Sequence, residues 1–529
     1  MNLKTASAAW AISGLLAASA SAATLEVAGT TAPLTFDPHA TNDFVTTALV
    51  RQTYESLVEL GPDMELVPGI ATGWEYRGDN TWRLTLREGV VFHDGSAMTA
   101  EDAAFSVMRQ SKSKLYQSLF GGITAANVVD ARTVDVVSKG PDAILPVKLT
   151  RLFVMSKAWA TEHGIAAVPD LGSDSEAYSL RQANGTGPME LERQDPGKQT
   201  IFVKNPDWWG EFTGNVDRVD YLAIGSAPTR LAALLSGEVD LVTDLPLQDI
   251  PRIETTEGLK IAQGPQRLFM ELEMDGTRDQ ALDTFDKQGN PLPQNPFKDL
   301  RVRQAISMAV DNKLIAERVM RGNARPVNLP SAPGFYGYPE DLDTPREVDP
   351  AAAKALLAEA GYPDGFVTSL NCPLERYVNA EEICRGVASL LARVGIDVNV
   401  KTMTWPEFSK MLVSGPSTSF HLIGAAGNSG DVQDTFTAIL STRSPDTGRG
   451  QQNWALWSDP EFDAITDKLV TTFDPADRAK LYREGLALAR DRVHAVYLHQ
   501  PFITWAMRDT VDAKVRADGA IGFARITVN

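Results

Sequence analysis

Apolar and polar side chains alternate from Trp82 to Arg87, with Trp82, Leu84 and Leu86 on one parity and Arg83, Thr85 and Arg87 on the other. A period of two predicts a strand with one face in a core. His93-Asp94-Gly95 then supplies turn chemistry. Thr99 stands three residues before Asp102, a capping box with Asp in place of Glu, and predicts the start of an amphipathic helix. Further on, GTGPMELERQDPG, QTIFVKNPDWWG, VDRVDYLAI and EVDLVTDL read as turn-bounded strands, and TRLAALLSG as a helix stopped by Gly237. From Asp299, the residues Val302, Ala305, Ile306, Met308 and Ala309 recur at helical spacing and predict one helix ending at Gly322. Asp349 caps another helix, PAAAKALLAEAG, which Gly361 and Pro363 stop. Between Asn290 and Phe297, Pro, Asn and Gln crowd into a predicted surface loop. Strands and helices intermix along the whole chain, which points to an α/β architecture.

Composition adds an address and a size. Met1 to Lys4 is a short cationic stretch, Ala8 to Ala18 is apolar or small, and Ala20-Ser21-Ala22 is an A-x-A cleavage site. Residues 1–22 therefore read as a cleavable signal peptide, and the mature chain starts near Ala23. Its apolar core falls short of the roughly 20 residues that span a bilayer. No Cys adjoins the site to take a lipid, so the expected location is free in a Gram-negative periplasm. The remaining length exceeds one ordinary core and predicts two or three lobes. A net charge of −18 argues against nucleic acid and suits a soluble monomer, without identifying a ligand. The two cysteines, Cys372 and Cys384, form a disulfide or remain two free thiols. Export makes the disulfide the first expectation, and a Cys-based metal site lacks its other ligands.

No reaction centre stands out. The chain has no G-x-S-x-G, Walker loop, G-x-G-x-x-G or H-E-x-x-H. Of six histidines, only His494 and His499 are close, and their spacing in the strand-like HAVYLH puts them on opposite faces. His421 opens the apolar run HLIGAAG and is either structural or faces a cleft as a metal contact. The expectation is a protein that is not an enzyme and needs no cofactor or metal.

VPGIATGW followed by LREGVVFHDGSAMTAEDAAFS closely resembles the signature of the extracytoplasmic solute-binding proteins of peptide/nickel ABC importers, solute-binding family 5. GTGPMELE, KNPDWWG, TRLAALLSGEVDL, FKDLRVRQAISMAVDNKLIAERVMRG, AKALLAEAGYPDGF and WSDPEFDAITDKL resemble it too, in the family's order. The resemblance implies a two-lobed α/β periplasmic-binding-protein fold, class II and cluster C, with an extra domain on lobe I. By that likeness lobe I takes residues 23–60, 185–265 and 499–529, the extra domain 61–184, and lobe II 266–498. A peptide or peptide-sized solute would sit in the cleft between lobes and pass to an ABC permease. Other ligands found on this fold are oligosaccharides, opines, metal chelates and haem. An exported enzyme or chaperone on the same scaffold is the reading from outside the class.

Site residues follow by position. In peptide-binding members a Trp follows the strand after G-[IV]-x-V, and GIDVNVKTMTW puts Trp405 there, as a cleft wall or a core ring. Those members then carry Gly-Trp-x-x-Asp, whose carboxylate holds the peptide amine. Here the stretch is Gly424-Ala425-Ala426-Gly427-Asn428, so Asn428 stands where the Asp would be. Asp431 either takes over that duty or is a solvated loop residue. Arg376 falls within a couple of residues of the family's carboxylate-binding Arg, and either faces the cleft or pairs with Glu375 or Glu381. Asn42 and Asp43, with Thr41, follow the family-like Phe36-Asp37-Pro38 and are expected to offer polar contacts. Both altered anchors count against a simple dipeptide. Trp208 and Trp209 read as packing residues, and Trp454 and Trp457 as either packing residues or ligand contacts.

Overall fold

The computed structural model describes residues 23–172, 176–374, 376–413, 417–427, 429–444 and 448–529. The expected signal peptide therefore lies outside the described residues, as does Asn428.

Two α/β lobes share one strand. On one side Ala23–Gly29 is the centre of a sheet, parallel to Val216–Ala223 and to the short Leu241–Val242. Gln199–Lys204 and Met189–Asp195 extend that sheet antiparallel. On the other side Phe366–Pro373 runs parallel to Ile396–Met403, and Phe420–Ala425 links them to Phe269–Met274. The 14-residue strand Ala495–Arg508 belongs to both. Its first half pairs with Phe269–Met274 and Ala324–Pro326, its second with Leu259–Pro265 and Leu241–Val242.

A third unit has its own sheet. The strands Ala71–Gly78, Thr81–Leu86, Thr133–Ser138 and Ile123–Asp130 form an antiparallel sheet in that spatial order. Leu84 and Leu86 point into its core with Val134, Val136 and the inner face of the helix Ala100–Gln110. Asp102 starts that helix by accepting from the Thr99 N–H at 2.9 Å and the Thr99 hydroxyl at 2.7 Å.

One predicted helix is broken. It runs Leu300–Ala309 and stops at Val310; Asp311 then caps a second piece, accepting from the Leu314 N–H at 2.9 Å. Apolar spacing continues through the break, so periodicity alone merged the two. Trp208 and Trp209 both donate their indole N–H to Glu55, at 2.9 and 2.8 Å. Burial pushes that carboxyl up to about 7, against the pull of the two indoles and Thr186.

Cys372, in the strand Phe366–Pro373, and Cys384, in the helix Ala380–Ala392, are joined by a disulfide. It staples that helix to its sheet next to Arg376. Replacing both with serine should lower stability by about 3 kcal/mol at most, because the loop is short. The urea midpoint checks this, and two reactive thiols in denatured native protein would remove its basis. No helix among the described residues is long and apolar enough to cross a membrane.

Candidate functional site

The two lobes are linked at neighbouring strands. Leu259–Pro265 passes through Gln266, Arg267 and Leu268 into Phe269–Met274, alongside Ala495–Arg508. The Gln266 N–H donates to Pro501 O at 2.8 Å, and Gln500 Nε2 donates to Gln266 O at 2.8 Å and Pro333 O at 2.7 Å. Over this double crossing lies a cavity of about 490 Å³, walled from both lobes. That volume falls in the range of small-molecule sites.

The first lobe contributes the helix Phe44–Thr53, with Asn42 just before it. This segment is held from behind by the third unit. Arg109, on the helix Ala100–Gln110, makes a two-pronged pair with Asp37 at 2.9 and 2.6 Å, and both side chains are buried. The same guanidinium donates to His39 Nδ1 at 2.8 Å and to the carbonyls of Ile165 and Ala167. Ser113 donates to His39 O and Tyr116 to Thr41 O, at 2.8 and 2.9 Å. Burial, reinforced by Arg109, drives His39 down to about 3, so it stays neutral. The family-like Phe36-Asp37-Pro38 is thus a clamp that delivers Asn42 and Phe44 to the cavity wall.

The second lobe contributes Arg376, Tyr377, Val378, Ala426 and Gly427. Arg376 is exposed, and its guanidinium lies 4.9 Å from the Trp405 ring and 5.6 Å from the Tyr377 ring. Glu381 is taken by Arg385 at 2.6 Å, and Glu375 lies outside the described residues. Trp405 itself opens the helix Trp405–Val413 and stacks on Phe408 at 5.9 Å. It does not line the cavity; it is the platform under Arg376.

A second, mostly apolar pocket of about 200 Å³ adjoins the first. Phe44, Asp244, Gln266 and Val378 border both, and Leu49, Tyr221, Leu247 and Trp505 deepen the second. Asp244 occupies the left-handed region at φ 55°. Burial raises its carboxyl, with Arg230 and Thr243 pulling the other way.

The structure separates the expected residues. Asn42 and Arg376 line the cavity, and Trp405 supports it from behind. Asp43 spends its carboxylate on the Thr46 N–H at 2.9 Å and the Thr46 hydroxyl at 2.8 Å, as the cap of Phe44–Thr53. It is a cap rather than a cavity contact. Asp431 requires a correction: it is neither a solvated loop residue nor open to the cleft. It is fully buried, accepts from the Gln433 N–H at 2.7 Å and the Tyr482 hydroxyl at 2.6 Å, and lies 3.9 Å from Arg478. Burial lifts it to about 6. His421 also faces inward, 3.3 Å from the buried Glu273. Among the described residues no group of three or more His, Cys, Asp or Glu is placed to hold a metal.

Sequence reasoning missed Arg51, Arg151, Arg267, Asp244 and Asp518, all on the cavity wall. The one available signal was Arg267, a lone cation in the short segment joining two apolar strands, beside the expected lobe boundary.

Comparison with known proteins agrees with this geometry. Heme-binding protein A of Haemophilus influenzae is 26% identical over 490 residues, 87% of this chain and 84% of its own length. The glutathione-binding protein GsiB of Salmonella paratyphi A is 26% identical over 465 residues, 85% of this chain and 84% of its own. Among solved structures, HbpA2 from Haemophilus parasuis superposes with a TM-score of 0.80 at 23% identity, covering 96% of this chain and all of that one. The profile described as bacterial extracellular solute-binding proteins, family 5 Middle, matches residues 65–461. With two lobes, a cavity between them and a match over most of its length, this chain belongs to the bacterial extracellular solute-binding proteins of family 5.

Proposed function

We propose that this protein captures a peptide or peptide-sized solute in the interlobe cavity and hands it to an ABC permease. It would work as a periplasmic monomer with no cofactor and no reaction of its own. The observation that carries this reading is the cavity of about 490 Å³ over the double crossing, walled from both lobes and continued by an apolar pocket. A polar chamber beside an apolar one suits a solute with a peptide-like backbone and a side group. The relative named for glutathione, itself a tripeptide, supports the peptide class. The lobe limits given above, with 266–498 as lobe II, fit the crossing at Gln266–Leu268. A haem ligand is the second reading, favoured by the relative named for it. Its weakness is that His499, the one histidine lining the cavity among the described residues, is fully buried.

Native mass spectrometry of protein taken from its own periplasm, with denaturing release, tests the proposal. A released peptide-like compound is the expected result; a porphyrin, sugar or opine would overturn the solute class. Trp405→Ala should weaken binding of the released compound roughly tenfold, about 1.4 kcal/mol, through loss of the platform under Arg376. Melting should barely change. A variant that fails to fold would make Trp405 a core residue of the second lobe.

A further inference from the structure

Four guanidiniums but only two carboxylates line the larger cavity, in a chain whose net charge is −18. Arg51 is engaged: it donates to Thr150 O at 2.9 Å and lies 4.0 Å from Asp518 and 3.9 Å from Glu59. Arg267 is different. It sits in the crossing segment, its N–H fixed to Ala517 O at 2.8 Å. Among the described residues its half-buried guanidinium has no hydrogen bond and no ion pair.

Space has been made for that group. A Cβ on Gly430 would come within 2.4 Å of Arg267 Nη1 and 2.5 Å of its Cζ, and Gly430 has a φ of +85°. Burial, then Arg151, then Arg51 push Arg267 down to about 10, with Asp518 and Asp434 opposing. Neither carboxylate is free to pair with it. Asp518 holds Arg516 at 3.0 Å, and Asp434 accepts from the Ser429 N–H. A guanidinium crowded by like charges and partly out of water is costly in an empty cleft. An arriving anion removes that cost and gains a charge-assisted contact.

We infer that the floor of the cleft is an anion site, with Arg267 as its contact, Arg51 and Arg151 behind it and Arg376 at its rim. The solute therefore carries a carboxylate that reaches Arg267, while its apolar part enters the pocket beside Phe44 and Trp505. This rests on the carrier reading above and narrows it to solutes with a free carboxylate.

Calorimetric titration of the full-length mature chain, stripped of bound solute, tests it with matched probes. These are Ala-Phe-Ala, its C-terminal amide, Ala-Phe-Glu, and Ala-Phe-Gln amide. Each acid should bind at least tenfold tighter than its amide. Arg267→Gln should abolish that preference, and Arg267→Lys should restore part of it. The contrast between Ala-Phe-Ala and Ala-Phe-Glu reports whether a main-chain or a side-chain carboxylate is read. Equal binding of acids and amides, or an acid preference that survives in Arg267→Gln, overturns the inference and leaves the carrier reading standing. Binding of none of the four overturns the inference too, and the native mass spectrum then decides whether the carrier reading falls with it.

Discussion

Arg109→Ala is expected to destabilise the protein by about 3–5 kcal/mol, the cost of stripping one partner from a fully buried pair. Asp37 would be left as an anion without its counter-charge, retaining only Ser179 at 2.7 Å and its local backbone contacts. His39 Nδ1 and the carbonyls of Ile165 and Ala167 would lose their donor as well. Urea unfolding, followed by tryptophan fluorescence, measures the loss. Asp37→Ala alone should cost a similar amount, and the double variant less than their sum, since each change removes the same interaction. A loss below about 1 kcal/mol for Arg109→Ala would mean that the clamp does not hold the segment. Because that segment carries Asn42, ligand affinity should fall alongside stability, in contrast to Trp405→Ala, where affinity falls alone.

Asp431 gives the opposite pattern. Asp431→Ala should cost about 2–4 kcal/mol, because the Tyr482 hydroxyl and the start of the helix Val432–Asp434 lose their acceptor in a dry interior. Ligand affinity should stay within about twofold once folded protein is selected. The pH dependence has a definite sign. Since the folded state holds this proton more tightly than the unfolded chain, the contribution to stability is greatest in acid. It declines as pH rises from the ordinary Asp value through about 6. Asp431→Asn mimics the protonated side chain, so its stability should be flatter than wild type across that window. An affinity loss of tenfold or more in folded Asp431→Asn would return this residue to the ligand site.

Local patterns carried the elements well where one face is buried and the cap is nearby in sequence. Trp82 to Arg87, Thr99 with Asp102, Asp349 and Gly237 all depend on neighbours within a few positions. The break at Asp311 shows the limit: an apolar stripe reads the same on one helix or two, and only the cap side chain marks the joint. For the site, the difficulty lies in chemistry as well as distance. Asp43 and Asp431 are polar residues directly before a helix, which is where both caps and ligand contacts occur. Only burial and partners separate the two roles. Arg51, Arg151 and Arg267 are about a hundred residues apart in sequence, so no spacing brings them together. Arg376 was reachable because it is tied to a local signature.

The two chain crossings are hydrogen-bonded neighbours, with Gln500 locking Gln266 O and Pro333 O behind them. Such a paired ribbon flexes out of its own plane, whereas sliding one strand past the other breaks its register. A hinge of this kind would leave the lobes essentially one soft coordinate, with a single equilibrium between parted and apposed forms. Observed affinity is then the intrinsic affinity scaled by the fraction already competent. Gln500 and Pro333, which do not line the cavity, would then bear on affinity through the hinge alone.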